Sequence, residues 1–332
     1  MQAFQIDRYK TPIHAATVSE PTVGARDVLV RVHAAGVNQL DAKIADGEFT
    51  ALLRYRTPLV LGHDVAGVIE QVGSAVTRFA VGDAVMARVR DHRIGTFAER
   101  IAVAEADLAR KPTAVSMTEA ASLPLVALTA WQALVERAHV RPGHRVLIHG
   151  GSGGFGSIAI QLARHLGAHV ATTASGSNAE WLRSIGADEV IDYRTEDFAE
   201  RLSDFDVVVD TVGGKNLERS LTVLRRGGTA VSIVGPPDPT FAAAAGLNPV
   251  LRTVIGVISA AIRRRARRLG VDYSFLFMRA SGPQLSEIAD LVDAGIIRPV
   301  VGRVFPFAET PAAVEAARRG GTRGKVVVSI VE

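Results

Sequence analysis

From residue 145 to residue 234 the hydrophobic pattern keeps changing period. Short apolar runs predict strands at 145–149, 168–173, 189–192, 206–210 and 228–234. Between them apolar residues recur at helical spacing, which predicts helices near 154–166, 178–185, 196–202 and 214–225. Strict strand–helix alternation predicts an α/β fold built on a doubly wound parallel sheet. The first 110 residues read differently. "DVLVRVHAAGV", "VAGVIEQVG", "GDAVMARV" and "GTFAERIAV" are short period-2 or continuously apolar runs broken by Gly and Asp, as in a compact barrel or sandwich. Near residue 116 the pattern turns helical. Ser116 with Glu119 three residues on predicts a capping box. The apolar passage 120–135 then reads as one buried helix, too short for the roughly 20 residues that span a bilayer. The segments 247–270 and 281–297 read as further helices, and the tail returns to β character and is expected to rejoin the first domain.

Length and composition sharpen this picture only in places. The 332 residues suit two domains, and 48% hydrophobic with 22% charged residues suits well-formed cores. The absence of cysteine excludes disulfides and any thiolate-based metal site, and a cytoplasmic location is the expectation. The opening "MQAFQIDRYK" does not read as a signal peptide. The formal charge of +4 is local. Without Arg263, Arg264, Arg265, Arg267 and Arg268 it would be −1. That cluster is compatible with a solvated helix end, with contact to an acidic or membrane surface, or with recognition of acyl-CoA phosphates. Nucleic acid is not an expected partner, because no aromatic interleaving or known motif accompanies the arginines.

The strongest chemical signal is "RVLIHGGSGGFGSIAIQLARHLGAHV". Gly151, Gly153 and Gly156 fit G-x-G-x-x-G between an apolar strand and an amphipathic helix. Glycines there let backbone approach a pyrophosphate, and the helix N-terminus attracts it. After the second strand an NAD site usually carries an acid on the ribose 2′-OH. Here the stretch offers Thr172, Thr173, Ser175, Ser177 and Asn178, with Tyr193 and Arg194 past the next strand. Hydroxyls accommodate a 2′-phosphate that a carboxylate would repel, so NADPH is expected over NADH.

In "AAGVNQLDAKIADG", Asn38 and Asp41 stand three residues apart just past a strand. They are compatible with turn capping or with the polar wall of an active site.

"AAGVNQLDAKIADGEF", "PLVLGHDVAGVIEQVGSAVTRFAVGDAV", "SLPLVALTAWQAL", "HGGSGGFGSIAIQLAR", "SIGADEVIDYRTEDF", "VVVDTVGG" and "GTRGKVVVSI" together cover nearly the whole chain. With these motifs the chain resembles the medium-chain dehydrogenase/reductase superfamily, in its zinc-independent quinone oxidoreductase branch. The resemblance implies a GroES-like β-rich substrate domain over 1–125, completed by 297–332, and a Rossmann NADPH-binding domain over 126–296, with the active site in the cleft. It implies Thr129 near the nicotinamide, and Ser152, Gly153, Gly154 and Phe155 facing the pyrophosphate. Ser175 and Tyr193 would reach the 2′-phosphate. Val234 and Gly235, with Leu276 and Met278, would hold the carboxamide, and Arg323 would contact the cofactor. Many relatives place a Lys on the 2′-phosphate where this chain has Asn178. Zinc enzymes of the superfamily place a Cys where this chain has Asn38, so His63 of "LGHD" reads as a turn residue and no metal is expected. Without a Lewis acid the acceptor must already be electron-poor. The expected activity is hydride transfer from NADPH to a quinone or α,β-unsaturated carbonyl, with Asn38 and Asp41 lining the pocket and a homodimer as the assembly. An enoyl-thioester reductase and a non-catalytic NADPH-binding sensor are the alternatives.

Overall fold

The computed structural model describes residues 1–50 and 53–331. Among these, the N-terminal 110 residues supply strands β1 (Gln2–Ile6), β2 (His14–Thr17), β3 (Asp27–Val37), β4 (Leu59–Val60), β5 (Asp64–Val72), β6 (Ala84–Arg88), β7 (Arg100–Ala104) and β8 (Leu108–Arg110). Strand β3 is the spine of the main sheet. It pairs antiparallel with β5 and β7, and β5 passes the sheet on to β6 and β8. Its valines at 28, 30 and 32 alternate inward and are fully buried, as a half-buried strand requires. Helix α1 (Gln39–Ala45) starts one residue past the end of β3.

Gly36 shows why this corner needs glycine. A Cβ there would stand 2.3 Å from the Ala121 carbonyl oxygen and 3.0 Å from Asp64 Cβ. The Ala121 carbonyl ends helix α2 (Met117–Ala121), so the two backbones touch through the missing side chain. Gly36→Ala is expected to cost about 1–3 kcal/mol through overpacking. A lower urea midpoint with unchanged slope would register it.

Ser116 caps α2 with the expected box, its hydroxyl taking the Glu119 N–H while Glu119 takes the Ser116 N–H. The passage expected as one helix is instead three pieces. α2 stops at Ser122, α3 (Pro124–Trp131) restarts with proline at its first position, and Gln132–Arg137 forms a π turn. Proline suits a first helical turn because its missing N–H has no partner there anyway. In the π turn the Ala138 N–H reaches back five residues to the Ala133 carbonyl.

The second unit follows as β9 (Arg145–His149), α4 (Gly154–His165), β10 (His169–Ala174), α5 (Ala179–Ser184), β11 (Glu189–Asp192), α6 (Phe198–Arg201), β12 (Phe205–Asp210), α7 (Gly214–Ser220), β13 (Leu224–Ser232), α8 (Pro239–Ala244), α9 (Pro249–Ile258), α10 (Ala260–Leu269) and β14 (Asp272–Phe275). The sheet order is β11-β10-β9-β12-β13-β14, parallel throughout. Order reverses between β9 and β12, and that reversal opens the crevice where such sheets bind ligands. One face packs Leu147, Phe205, Val208, Leu217, Ile262 and Ala266 into a core cluster. Each buried Leu, Val, Ile or Phe of this cluster contributes about 1.5–3 kcal/mol.

Two predicted helices differ in extent. The segment expected over 214–225 ends at Ser220, because Leu224 already pairs with Phe205 in the sheet. The segment 247–270 breaks at Ser259, whose hydroxyl donates back to the Ile255 carbonyl, a bond that bends helices.

The chain closes with α11 (Gly282–Asp293), β15 (Val301–Pro306), α12 (Thr310–Arg319) and β16 (Lys325–Ser329). β16 pairs antiparallel with β3, extending the first sheet. The two compact units are Met1–Leu128 with Arg279–Glu332, and Thr129–Met278. The chain therefore rejoins the first unit at Arg279, earlier than the expected residue 297. The reason is α11. Gly282 lies so close to the Leu108 carbonyl that a Cβ would stand 2.4 Å away, and Asp293 takes the Thr113 hydroxyl and the Ala114 N–H. These contacts fix α11 to the β8 end of the first sheet.

Candidate active site

In the second unit the glycine loop leaves the end of β9 and enters α4 with Gly153 as its cap. A Cβ on Gly156 would stand 2.3 Å from the Gly150 carbonyl oxygen, and one on Gly151 would stand 2.2 Å from Thr172 Oγ1. Side chains at either position would fill the cradle and force loop and helix apart. Ser152, Gly153, Gly154 and Phe155 line the loop, partly exposed, ahead of a helix twelve residues long. This is the free, dipole-favoured N-terminus a pyrophosphate requires.

The loop is held from below by His149, which the sequence reading did not single out. Ser220 Oγ donates to the Asn216 carbonyl at 2.8 Å, so it must accept from His149 Nε2, 2.9 Å away. His149 Nδ1 then accepts from Thr173 Oγ1 at 2.9 Å, leaving that oxygen a lone pair for the Gly150 N–H. One neutral imidazole thereby ties β9, β10 and α7 together beneath the loop. Burial pushes its pKa down to about 4, which keeps it uncharged at neutral pH.

At the end of β10, Ser175 is half-buried. Its hydroxyl lies 2.9 Å from Asn178 Nδ2 and 3.2 Å from Ser177 Oγ. Tyr193 is 60% exposed, with the Arg194 guanidinium 5.7 Å from its ring centroid. Ser175, Asn178, Tyr193 and Arg194 thus follow the ends of neighbouring strands, β10 and β11, within one unit. These strand ends also carry an acid the sequence reading passed over. Asp192 ends β11 close to Gly176, its Oδ1 taking the Arg194 N–H at 3.0 Å.

A second chain of hydrogen bonds sets the turn after β13. Buried Asp210 accepts from Ser232 Oγ at 2.7 Å and from the Gly213 N–H at 3.0 Å. Ser232 Oγ in turn accepts the Gly235 N–H at 2.8 Å. Val234 stands 43% exposed at the tip, and Leu276 and Met278 are buried beside the end of β14. Thr129 is buried in α3.

In the first unit the sheet register brings distant residues to one edge. Gly36 pairs with Asp64, Asp64 pairs with Arg88, and Val37 pairs with Val326. Asn38, Asp64 and Lys325 therefore meet at adjoining strand ends. Lys325 Nζ donates to Asn38 Oδ1 at 2.6 Å and to the Val37 carbonyl at 2.8 Å, and lies 3.5 Å from Asp64 Oδ2. Asn38 Nδ2 donates to Asp64 Oδ2 at 3.0 Å. Asp64 Oδ1 takes the Leu125 N–H. Burial pushes the Asp64 carboxyl up and the Lys325 ammonium down, and the attraction between them opposes both drifts.

Asp41 is the third residue of α1. Its Oδ2 takes the Asn38 N–H at 2.8 Å, and its Oδ1 lies 2.5 Å from His63 Nδ1. The expected turn capping by Asp41 is present, and the same carboxylate also meets an imidazole. Asp41 is fully buried and divided between a helix start and an imidazole. Asn38, 6% exposed, commits its amide NH2 to Asp64 and, at 3.4 Å, to the Gly36 carbonyl. It positions this network rather than offering a spare donor. Among the described residues His63 Nε2 is buried with no hydrogen-bond partner. Arg323 is exposed in the turn before β16.

The basic cluster lies on α10. Ile262 and Ala266 face the core, while Arg264, Arg265, Arg267 and Arg268 are exposed and Arg263 bonds to Ser259 and the Gly256 carbonyl. No helix among the described residues is long and apolar enough to cross a membrane.

A unit built on a six-stranded parallel sheet with a glycine cradle, and a β-rich unit with a buried ion network, together define a nicotinamide-dependent oxidoreductase. Known proteins agree. Residues 24–113 match the family model described as alcohol dehydrogenase GroES-like domain, and residues 185–328 match that described as zinc-binding dehydrogenase. The chain is 39% identical over 326 residues to the mitochondrial NAD(P)H oxidoreductase RTN4IP1 of Mus musculus, covering 92% of this chain and 82% of that protein. It is 34% identical to the chloroplastic NADPH-dependent alkenal/one oxidoreductase of Arabidopsis thaliana, covering 93% and 73%. The structure of the quinone oxidoreductase from Coxiella burnetii superimposes with a TM-score of 0.84 at 30% identity, covering 99% of both chains. The chain belongs to the medium-chain dehydrogenase/reductase superfamily.

The nicotinamide cofactor fits the residues present, since the Gly151–Gly156 cradle is the space its pyrophosphate needs. Zinc, which the second family description implies, does not fit. The chain has no thiolate, the Asn38 amide is committed, and the Lys325 ammonium already neutralises Asp64. Among the described residues no three His, Asp or Glu side chains are placed to hold a metal.

Proposed function

We propose that this protein is an NADPH-dependent reductase of electron-poor acceptors, quinones and α,β-unsaturated carbonyls. The observation that carries the reading is the Asn38–Lys325–Asp64 network. It puts the Asn38 amide, itself bound to the Lys325 ammonium, where the resemblance places the thiolate of zinc-dependent relatives, so the chain's own residues offer no Lewis acid there. An acceptor whose double bond or ring is already electrophilic needs none. When bound, the nicotinamide supplies the hydride. The glycine cradle and the α4 N-terminus hold the pyrophosphate, and Ser175, Asn178, Tyr193 and Arg194 suit the 2′-phosphate. The Asp210–Ser232–Gly235 chain fixes the turn offered to the carboxamide. Catalysis then rests on positioning. The chloroplastic relative, named for NADPH-dependent alkenal/one reduction, supports both the cofactor and the acceptor class.

Consumption of NADPH and of NADH, followed with a quinone, an enone and a simple ketone in the presence and absence of chelator, tests this. Turnover of the quinone and the enone is expected, with NADPH preferred and chelator without effect. Preference for NADH, or activity confined to the ketone and lost with chelator, would refute the reading.

A further inference from the structure

Between Asp238 and Asp272 the chain holds six arginines and no acid, lysine or histidine. That segment carries a formal +6, against −2 for the rest of the +4 chain. It builds α8, α9 and α10, all in the second unit.

One inward face runs along α9 and α10. Ile255, Ser259, Ile262 and Ala266 are buried at steps of four, three and four residues, the spacing of a single helical face. Ser259 stays in the right-handed helical region and its carbonyl takes the Arg263 N–H, so the register carries through the bend.

The outer face of such a helix is ordinarily polar. Here Val250, Val254, Val257 and Ile258 stand on it, 45–72% exposed, at steps of four, three and one. Apolar side chains exposed together, rather than singly, mark an interaction surface. Arg264, Arg265 and Arg268 continue the same helical line on α10, and all three are exposed. Arg265 Nη1 lies 3.6 Å from an exposed Glu218 carboxylate oxygen. An apolar stripe thus runs directly into a basic one.

We propose that this face docks on an anionic phospholipid membrane. The line from Val250 to Arg268 is about 27 Å long at the helical rise. Its apolar half is too short to span a bilayer and suits a helix lying in the plane of the surface. The valines enter the boundary between headgroups and acyl chains, and the guanidiniums bind headgroup phosphates through charge-assisted bonds. A second copy meeting the same face would bring six more arginines and no acid from this segment, so charge favours the lipid. The surface is independent of which acceptor the protein reduces.

The full chain is co-sedimented with phosphatidylcholine vesicles, with and without phosphatidylglycerol. Binding is expected only with phosphatidylglycerol, and salt should weaken it. Arg264→Gln with Arg268→Gln should weaken it about 30-fold, each cation being worth about fivefold at an anionic surface. Val257→Glu should weaken it by about tenfold or more. These side chains are exposed, so both variants should keep the wild-type Tm. Because the chain has no cysteine, Val257→Cys accepts a single environment-sensitive fluorophore, whose emission should shift to the blue on phosphatidylglycerol vesicles. Absence of binding, binding unchanged in either variant, or an unshifted label overturns the proposal. If vesicles hold nothing while Val257→Glu converts a dimer to a monomer, the stripe is a contact between copies and the proposal is wrong.

Discussion

Replacing Lys325 with alanine is expected to cost about 3–5 kcal/mol, the usual effect of breaking a buried ion pair from one side. Asp64 is fully buried and Lys325 is 6% exposed, so water cannot take over the lost partner. The variant would leave Asp64 Oδ2 with one amide donor from Asn38, and would leave Asn38 Oδ1 and the Val37 carbonyl without the ammonium. The sign of the pH dependence follows from Asp64. Its folded pKa already lies above the ordinary 3.8, with burial as the largest cause. A carboxyl raised in this way contributes stability that is full below its unfolded pKa and is lost as pH rises through its folded pKa. Without Lys325 the folded value rises further, so Lys325→Ala should be less destabilised near pH 5 than near pH 8. Lys325→Met combined with Asp64→Asn removes both charges and should recover much of the loss. Calorimetric unfolding of the first unit's transition reads all three. An unchanged transition in Lys325→Ala would mean that the network is solvated and carries little energy.

That network also marks where sequence reasoning stops. The elements that could be read locally were those whose cause is local. The capping box at Ser116 occupies four residues, and the strand–helix alternation from 145 to 232 is written in periodicity. The glycine loop carries its own steric reason. Lys325 carries no local sign. It lies 287 residues from Asn38, and only the pairing of β16 with β3, together with that of β3 with β5, places both beside Asp64. Arg88, buried at the end of β6, is hidden for the same reason, as a cation at the end of an apolar strand that local pattern would put at the surface. His149 looked like an ordinary strand residue, because its partners Thr173 and Ser220 lie on other elements. The helix breaks at Ser122 and Ser259 depend on single hydroxyls and carbonyls, which averaged helical periodicity does not register. The return to the first unit at Arg279 is set by Gly282 meeting the Leu108 carbonyl, a contact between segments far apart in the chain.

The polar rim proposed for the 2′-phosphate gives the sharpest functional expectation. Ser175→Asp should weaken NADPH binding by about 100-fold while sparing or improving NADH. Like charges about 4 Å apart at an effective dielectric of about 20 repel by about 4 kcal/mol. Ser175 is only half-buried, so screening reduces this to the roughly 2.7 kcal/mol that corresponds to two decades. The same carboxylate can accept hydrogen bonds from a ribose 2′-OH, the arrangement that NAD sites use. The substitution disturbs little else, because among the described residues the Ser175 hydroxyl bonds to Ser177 and Asn178. Asp192 makes the experiment more discriminating. It already brings one carboxylate to this rim, held by the Arg194 N–H, so a second acid at 175 must overcome whatever compensation Arg194 provides. Arg194→Ala should therefore weaken NADPH in the wild-type background and deepen the loss in Ser175→Asp. Kd values for the two cofactors, measured by fluorescence quenching on folded protein, decide the matter. If Ser175→Asp leaves the NADPH-to-NADH ratio within twofold of wild type, the phosphate does not sit at Ser175 and the cofactor preference has another origin.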